Sequence, residues 1–353
     1  MKYLLGASLL VMTLIVGIFF FPINLITGKD IPYDDEQDGL SQQIVIRFSH
    51  VVAENTPKGL AAQRFAQLVE KKSDGLIKVE VIPNGSLYTD DDELDALIDN
   101  DIQMIAPSLS KLTKLSPEWA LFDLPFLFEN DQDIEHTLSS ELGNKFLTLN
   151  KNEGIKGLAL WSNGFKQMSS NLAPLRNPED FSGQRFRIMP SPIIAQQFKA
   201  LGAEPIEVPF DQLYTSLQED VFDGQENTIS NIYSRRIYGM QKYMTVSNHG
   251  FLGYAVLMNK EFWDSLPDKV QGVINEAMAE TTSWMISESL RVNREQLSLI
   301  EQESSIQIDY LSEQEKKTWF KTLKPVYRKF LDMVDDDEMK EFVKQRMVQM
   351  ETQ

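Results

Sequence analysis

The stretch Gly183-Gln184-Arg185-Phe186-Arg187-Ile188-Met189, closed downstream by Asp223-Gly224-Gln225-Glu226-Asn227, decides how this chain reads. Phe186 and Ile188 alternate with Arg185 and Arg187. A period of two predicts a short strand with the arginines on the face away from the apolar pair. An arginine on a strand that ends in a cleft offers a planar, five-donor fork to a carboxylate. A solvated edge-strand arginine fits the same alternation, so the pattern alone leaves both readings open.

Working outward, the stretch is followed by Leu201-Gly202-Ala203-Glu204-Pro205, by Tyr214 with Leu217-Gln218, and by Val221 before Asp223-Gly224. Upstream stand Phe48-Ser49-His50-Val51-Val52-Ala53 and Asn163-Gly164-Phe165-Lys166-Gln167-Met168, and downstream Ser247-Asn248-His249-Gly250. This ordered set resembles the extracytoplasmic solute-binding proteins of tripartite ATP-independent periplasmic (TRAP) transporters, above all their C4-dicarboxylate-binding branch. The resemblance runs over about residues 43 to 335.

Composition narrows the classes independently. A chain of 353 residues can bury two cores, so two lobes are expected. Its net charge of −18 argues against nucleic acid or an anionic membrane surface as partner. The same charge repels a dianion in bulk, so specific cations must converge on such a ligand. There is no cysteine, which excludes disulfides, thiolate zinc sites, cysteine nucleophiles and a lipid on an N-terminal cysteine.

Along the chain, Lys2 precedes an uncharged run, Tyr3 to Gly28, rich in apolar residues. Residues 1–28 read as a signal peptide or an uncleaved membrane anchor: the run exceeds a usual signal core and shows no clear small-x-small cleavage site. Residues 29–42 are polar and acidic, a linker or stalk. Ile44 to Phe48, Val79 to Pro83 and Ile102 to Ala106 read as strands. Between them come a helix capped at Thr56-Pro57 and a short helix over Asp90 to Leu97. This βαβαβ order predicts a parallel sheet covered by helices, with ligands off the carboxyl ends of its strands. His50, Ser86 and Ser108 stand there. Leu121 to Phe128 reads as core, Val208-Pro209-Phe210 as a short strand, and Phe262 to about Glu303 as one or two long helices. Asp335 to Glu338 lacks the ligand spacing of a calcium loop, and neither metal nor cofactor is called for.

The resemblance implies an α/β, two-lobe periplasmic-binding-protein-like fold with a ligand cleft between the lobes and a long helix spanning both. It implies lobe I at 43–163 and 253–291 and lobe II at 164–252 and 292–353. Arg187 matches the arginine that forks a ligand carboxylate, Asn227 the amide that shares it, and Phe210 the ring packed over the ligand. Lys166 stands where many relatives carry a second arginine, and would meet a second carboxylate. Tyr233, Trp161 and His249 would support these groups. The implied function is extracytoplasmic binding of succinate, malate or fumarate for a TRAP-type or other dicarboxylate membrane transporter. The alternative is a co-sensor for a sensor histidine kinase. No Gly-x-Ser-x-Gly, phosphate loop or paired metal-ligand histidines points to an enzyme.

Overall fold

The computed structural model describes residues 43–352; the apolar run 1–28 and the acidic linker 29–42 lie outside the described residues. The chain opens with β1 (Ile44–Ser49), α1 (Pro57–Lys72), β2 (Ile77–Ile82), α2 (Glu93–Ile98) and β3 (Met104–Ile105). Thr56 caps α1 by accepting the Gly59 N–H, as its place before Pro57 predicts. β1 pairs with β2 and β3 in parallel, the arrangement expected from the βαβαβ order.

Two helices, α3 (Asp131–Ser139) and α4 (Glu141–Leu149), lead into β4 (Ile155–Ser170). Then come β5 (Arg185–Ile188), α5 (Pro192–Ala200), β6 (Glu204–Glu207), α6 (Leu213–Gln218), β7 (Gly224–Thr228) and α7 (Ile229–Ser234). The seventeen-residue β8 (Tyr243–Asn259) returns beside β4. After it come α8 (Lys260–Ser265), α9 (Asp268–Glu303), β9 (Gln307–Tyr310), α10 (Glu313–Met333) and α11 (Asp337–Thr352). Val208-Pro209-Phe210 is a loop rather than the expected strand. The last ladder bond there runs from Val208 N–H to Ile188 O, and Pro209 has no N–H to continue it.

Among the described residues the strands form one sheet, ordered β2-β1-β3-β8-β4-β7-β5-β6, with β9 added to β8. The architecture is the two-lobe α/β type. β4 and β8 pair antiparallel from Ile155↔Asn259 to Ser170↔Tyr243, joining the β2-β1-β3 half to the β7-β5-β6 half without a break. Their ladder is interrupted by register shifts, one of them between Ser162 and Gly164. Gly164 has φ +95° there, a conformation that side chains oppose. The Asn293 amide of α9 donates to Asn163 O at 3.0 Å, and its Oδ1 accepts the Ser230 N–H at 2.9 Å. The 36-residue α9 packs on α1 in one half and on α7 in the other. One core lies under β1 and α9, around Phe48, Phe65, Trp161 and Ile274. A second gathers Phe122, Phe186, Phe198, Trp319 and Tyr327, and includes the Leu121-to-Phe128 segment.

Candidate functional site

β5 and β7 run parallel with Arg187 opposite Gln225. Paired residues share a face and alternate residues return to it, so Arg187, Gln225 and Asn227 project from the same side of the sheet. Arg187 is 1% exposed. Its Nε donates to Val208 O at 2.8 Å; among the described residues its two terminal nitrogens have no hydrogen-bond partner. Burial pulls its pKa down, against the influence of Asp90, Glu226 and Asp211. A guanidinium keeps its proton under that pressure, so a buried cation stands with four of its five N–H donors open.

Those donors face a cavity of about 30 Å³, above the roughly 10–15 Å³ that one water needs. From the β5-β7 side it is lined by Arg187, Met189, Phe210, Asn227 and Asn231. From the other side it is lined by Val51, Val52, Lys58, Asp90 and Ser108, and from β8 by Leu252 and Tyr254. The structure therefore brings Arg187, Asn227, Phe210 and Ser108 around one cavity. Sequence reasoning missed Lys58, Asn231 and Tyr254.

Lys58 lies in the first turn of α1 and is 1% exposed. Its Nζ donates to Ala106 O at 2.8 Å and stands 4.1 Å from the centre of the Tyr254 ring. Burial lowers its pKa, opposed by the Glu93 and Asp90 carboxylates. Burial likewise raises the pKa of Glu93, whose Oε1 accepts from Ser49 Oγ at 2.9 Å. Burial brings the pKa of the Lys58 ammonium down to about 8, and an arriving carboxylate would favour its charged form.

The two sides of the cavity are joined directly. The Phe210 N–H donates to Asp90 Oδ2 at 3.1 Å, and Lys111 pairs with the same carboxylate at 3.1 Å. Arg235 donates to Val51 O at 2.9 Å while its guanidinium lies 4.8 Å from the Phe210 ring centre.

Lys166 does not line this cavity. β4 pairs with β7 as Gln167↔Asn227 and Met168↔Glu226, so Lys166 and Glu226 share the face opposite Asn227. There Lys166 Nζ is ion-paired with Glu226 Oε1. His249 Nε2 meets Glu226 Oε2 at 2.8 Å, and Ser247 Oγ lies 2.7 Å from His249 Nδ1. Burial works against ionisation of Glu226, yet Lys166 and the His249 ring together hold its pKa down at about 2. Burial lowers the pKa of His249 against the pull of Glu226. A neutral ring fits both contacts: Nε2–H donates to the carboxylate and Nδ1 accepts from Ser247.

The other expected positions lie apart from the cavity lining. His50 is fully buried with neither ring nitrogen hydrogen-bonded, and burial, aided by Lys58, lowers its pKa to about 3. Ser86 is exposed and bonds Pro83 O. Tyr233 is half-buried and stacks on Tyr238. Trp161 is core, with its indole N–H on Thr282 Oγ1 at 3.0 Å.

A single sheet crossed by two unbroken strands, with a small cavity walled from both halves and reached by buried charged side chains, defines a cleft-type solute-binding protein. The family model for "Bacterial extracellular solute-binding protein, family 7" matches residues 48–333, and the chain belongs to that family, whose members work outside the cytoplasm. It is 48% identical over 331 residues to the C4-dicarboxylate-binding protein DctB of Bacillus subtilis, covering 94% of this chain and 95% of the relative. It is 40% identical to the C4-dicarboxylate-binding periplasmic protein DctP of Rhodobacter capsulatus, covering 84% and 89%. Among solved structures, a TRAP periplasmic solute-binding protein from Shewanella oneidensis with bound succinate superposes with a TM-score of 0.83 at 41% identity, over 86% of this chain and 99% of that one. One from Pseudomonas aeruginosa with bound L-malate gives 0.79 at 34%, over 81% and 99%.

Proposed function

We propose that this protein binds a four-carbon dicarboxylate between its two lobes, without transforming it, and delivers it to a TRAP-type membrane transporter. The observation that carries the reading is the pair of buried cations, Arg187 and Lys58, that reach one polar cavity from different halves of the sheet. Two carboxylates taken out of water need two charges and several donors in exchange. Arg187 has its fork open, Lys58 an ammonium, and Asn227 an amide nitrogen. In this reading Arg187 and Asn227 hold one carboxylate and Lys58 takes the part that the sequence assigned to Lys166.

A ligand that touches both walls stabilises the closed arrangement over an open one. The lobes would divide at residues 163/164, 252/253 and 291/292, close to the bulge at Gly164. The succinate- and malate-bound relatives support the ligand class, and their description as TRAP proteins favours delivery over the sensor reading.

The test is a thermal-shift and calorimetric screen of the full-length chain against mono-, di- and tricarboxylates. Four-carbon diacids should raise the melting temperature most, because ligand bound only to the native state stabilises it. A chain that responds equally to butyrate and succinate would rule the reading out.

A further inference from the structure

Two buried polar atoms on the cavity wall lack partners: the Tyr254 hydroxyl and the Asn231 carbonyl oxygen. Tyr254 is 3% exposed and Asn231 2%. Each belongs to a side chain that the proposed clamp of Arg187, Lys58 and Asn227 does not use.

The polarity of this pair is fixed by the backbone. Asn227 Oδ1 accepts the Thr228 N–H at 3.0 Å. A backbone N–H can only donate, so the Asn227 amide cannot be turned round. The same Oδ1 accepts from Asn231 Nδ2 at 2.8 Å, which fixes Asn231 in turn. Its Oδ1 is left as an acceptor that can take a hydrogen bond and never give one. Asn231 lies near enough to the Tyr254 hydroxyl to ease its ionisation against the larger effect of burial, yet neither the hydroxyl nor Asn231 Oδ1 has a partner at hydrogen-bond distance. The wall thus offers one obligate acceptor beside one group able to donate.

We propose that Tyr254 and Asn231 form a hydroxyl subsite, and that the preferred ligand is a four-carbon diacid with a hydroxyl on its chain. This rests on the dicarboxylate reading above. A ligand hydroxyl accepts from Tyr254 Oη–H and donates to Asn231 Oδ1, satisfying both atoms at once. A carboxylate or keto oxygen can accept from Tyr254 but has no proton for Asn231. A methylene or vinyl carbon serves neither. An ammonium could donate to Asn231, but Lys58 Nζ, 4.1 Å from the Tyr254 ring centre, sets a positive charge beside it. A site with buried groups built for a hydroxyl discriminates strongly against the analogue that lacks it.

The experiment is isothermal titration of the full-length chain with malate, succinate, oxaloacetate and aspartate, for wild type, Tyr254→Phe and Asn231→Leu. Wild type should bind malate at least tenfold tighter than succinate, with oxaloacetate between them and aspartate weakest. Tyr254→Phe removes one oxygen and keeps the ring, so it should fold; it should lower the malate-to-succinate affinity ratio at least fivefold, as should Asn231→Leu. Equal wild-type affinities for malate and succinate, or a ratio unchanged by Tyr254→Phe, would overturn the hydroxyl subsite and leave the dicarboxylate reading standing. If neither diacid binds, the dicarboxylate reading falls and this one with it.

Discussion

Lys166 and Glu226 form a buried ion pair across β4 and β7, their side chains 2% and 0% exposed. A buried carboxylate that loses its cation is left uncompensated in a dry site. Lys166→Ala should therefore destabilise the fold by about 3–5 kcal/mol, measured by urea denaturation. The resemblance set Lys166 against a ligand carboxylate, whereas the structure pairs it with Glu226. A variant as stable as wild type, with lost succinate affinity, would return Lys166 to the ligand.

Arg187→Ala removes the open fork. Binding of a dicarboxylate should weaken by about 2–5 kcal/mol. Arg187→Lys should fail to restore it, because one point charge does not copy a planar pair of donors. Calorimetric titration decides this, and near-normal affinity in either variant would remove Arg187 from the site.

Lys58 should set the count of carboxylates. Wild type is expected to bind succinate better than butyrate by at least about 2 kcal/mol, since the monoacid leaves a buried ammonium without its counter-charge. Lys58→Met keeps the length of the side chain and removes the charge, so that gap should shrink. If both ligands lost affinity equally, Lys58 would be a packing residue only.

Arg235 ties the two walls through Val51 O and lies over Phe210. Arg235→Leu should raise the radius of gyration of the ligand-free chain in solution scattering. It should also weaken ligand binding by about 1–2 kcal/mol. An unchanged scattering profile would show that this contact does not govern closure.

Asp123 gives the pH dependence. It is 3% exposed, and burial raises its pKa to about 6 despite Lys166, Ser110 and Ser191. A carboxyl whose folded pKa lies above its unfolded value of about 3.9 contributes stability in full below that value. The contribution is lost as pH rises through the folded pKa. Asp123→Asn removes the ionisation, so it should be more stable than wild type at pH 7.5 by about 3 kcal/mol. The gain should fade toward pH 4. Melting curves across that range check it; a gain that did not vary with pH would point to packing instead.

How much could be read in advance follows strand register. The parts given to Arg187 and Asn227 came from the family resemblance; the strand that carries Arg187 was legible from the alternation around Phe186 and Ile188. Lys166 was not, because its face depends on the pairing Gln167↔Asn227, and a slip of one residue would exchange the two faces. The start of β8 is hidden in the sequence because Ser247, Asn248 and His249 interrupt its apolar pattern. Ser247 and His249 are buried, and the three residues are bonded to Gln167 and Glu226. Lys58 left one signal: a lysine in the first turn of a helix stands against the helix dipole, and a position kept at that cost asks for another reason. Tyr254 sits in an apolar run where its hydroxyl has nothing local to bond.

The β4–β8 ribbon crosses between the halves without a break in the chain of either strand. A jointed connection swings freely and stores nothing, whereas a ribbon of two unbroken strands, bulged at Gly164, would act as a leaf spring when flexed. Under the proposed function, work done in shutting the cleft would be held in the flexed strands and in the long helix bonded to them through Asn293. Part of what the ligand gains on its contacts would thereby be withheld from its affinity. That withheld portion would be returned when the contacts are broken, so a receiving protein would have only to loosen the grip.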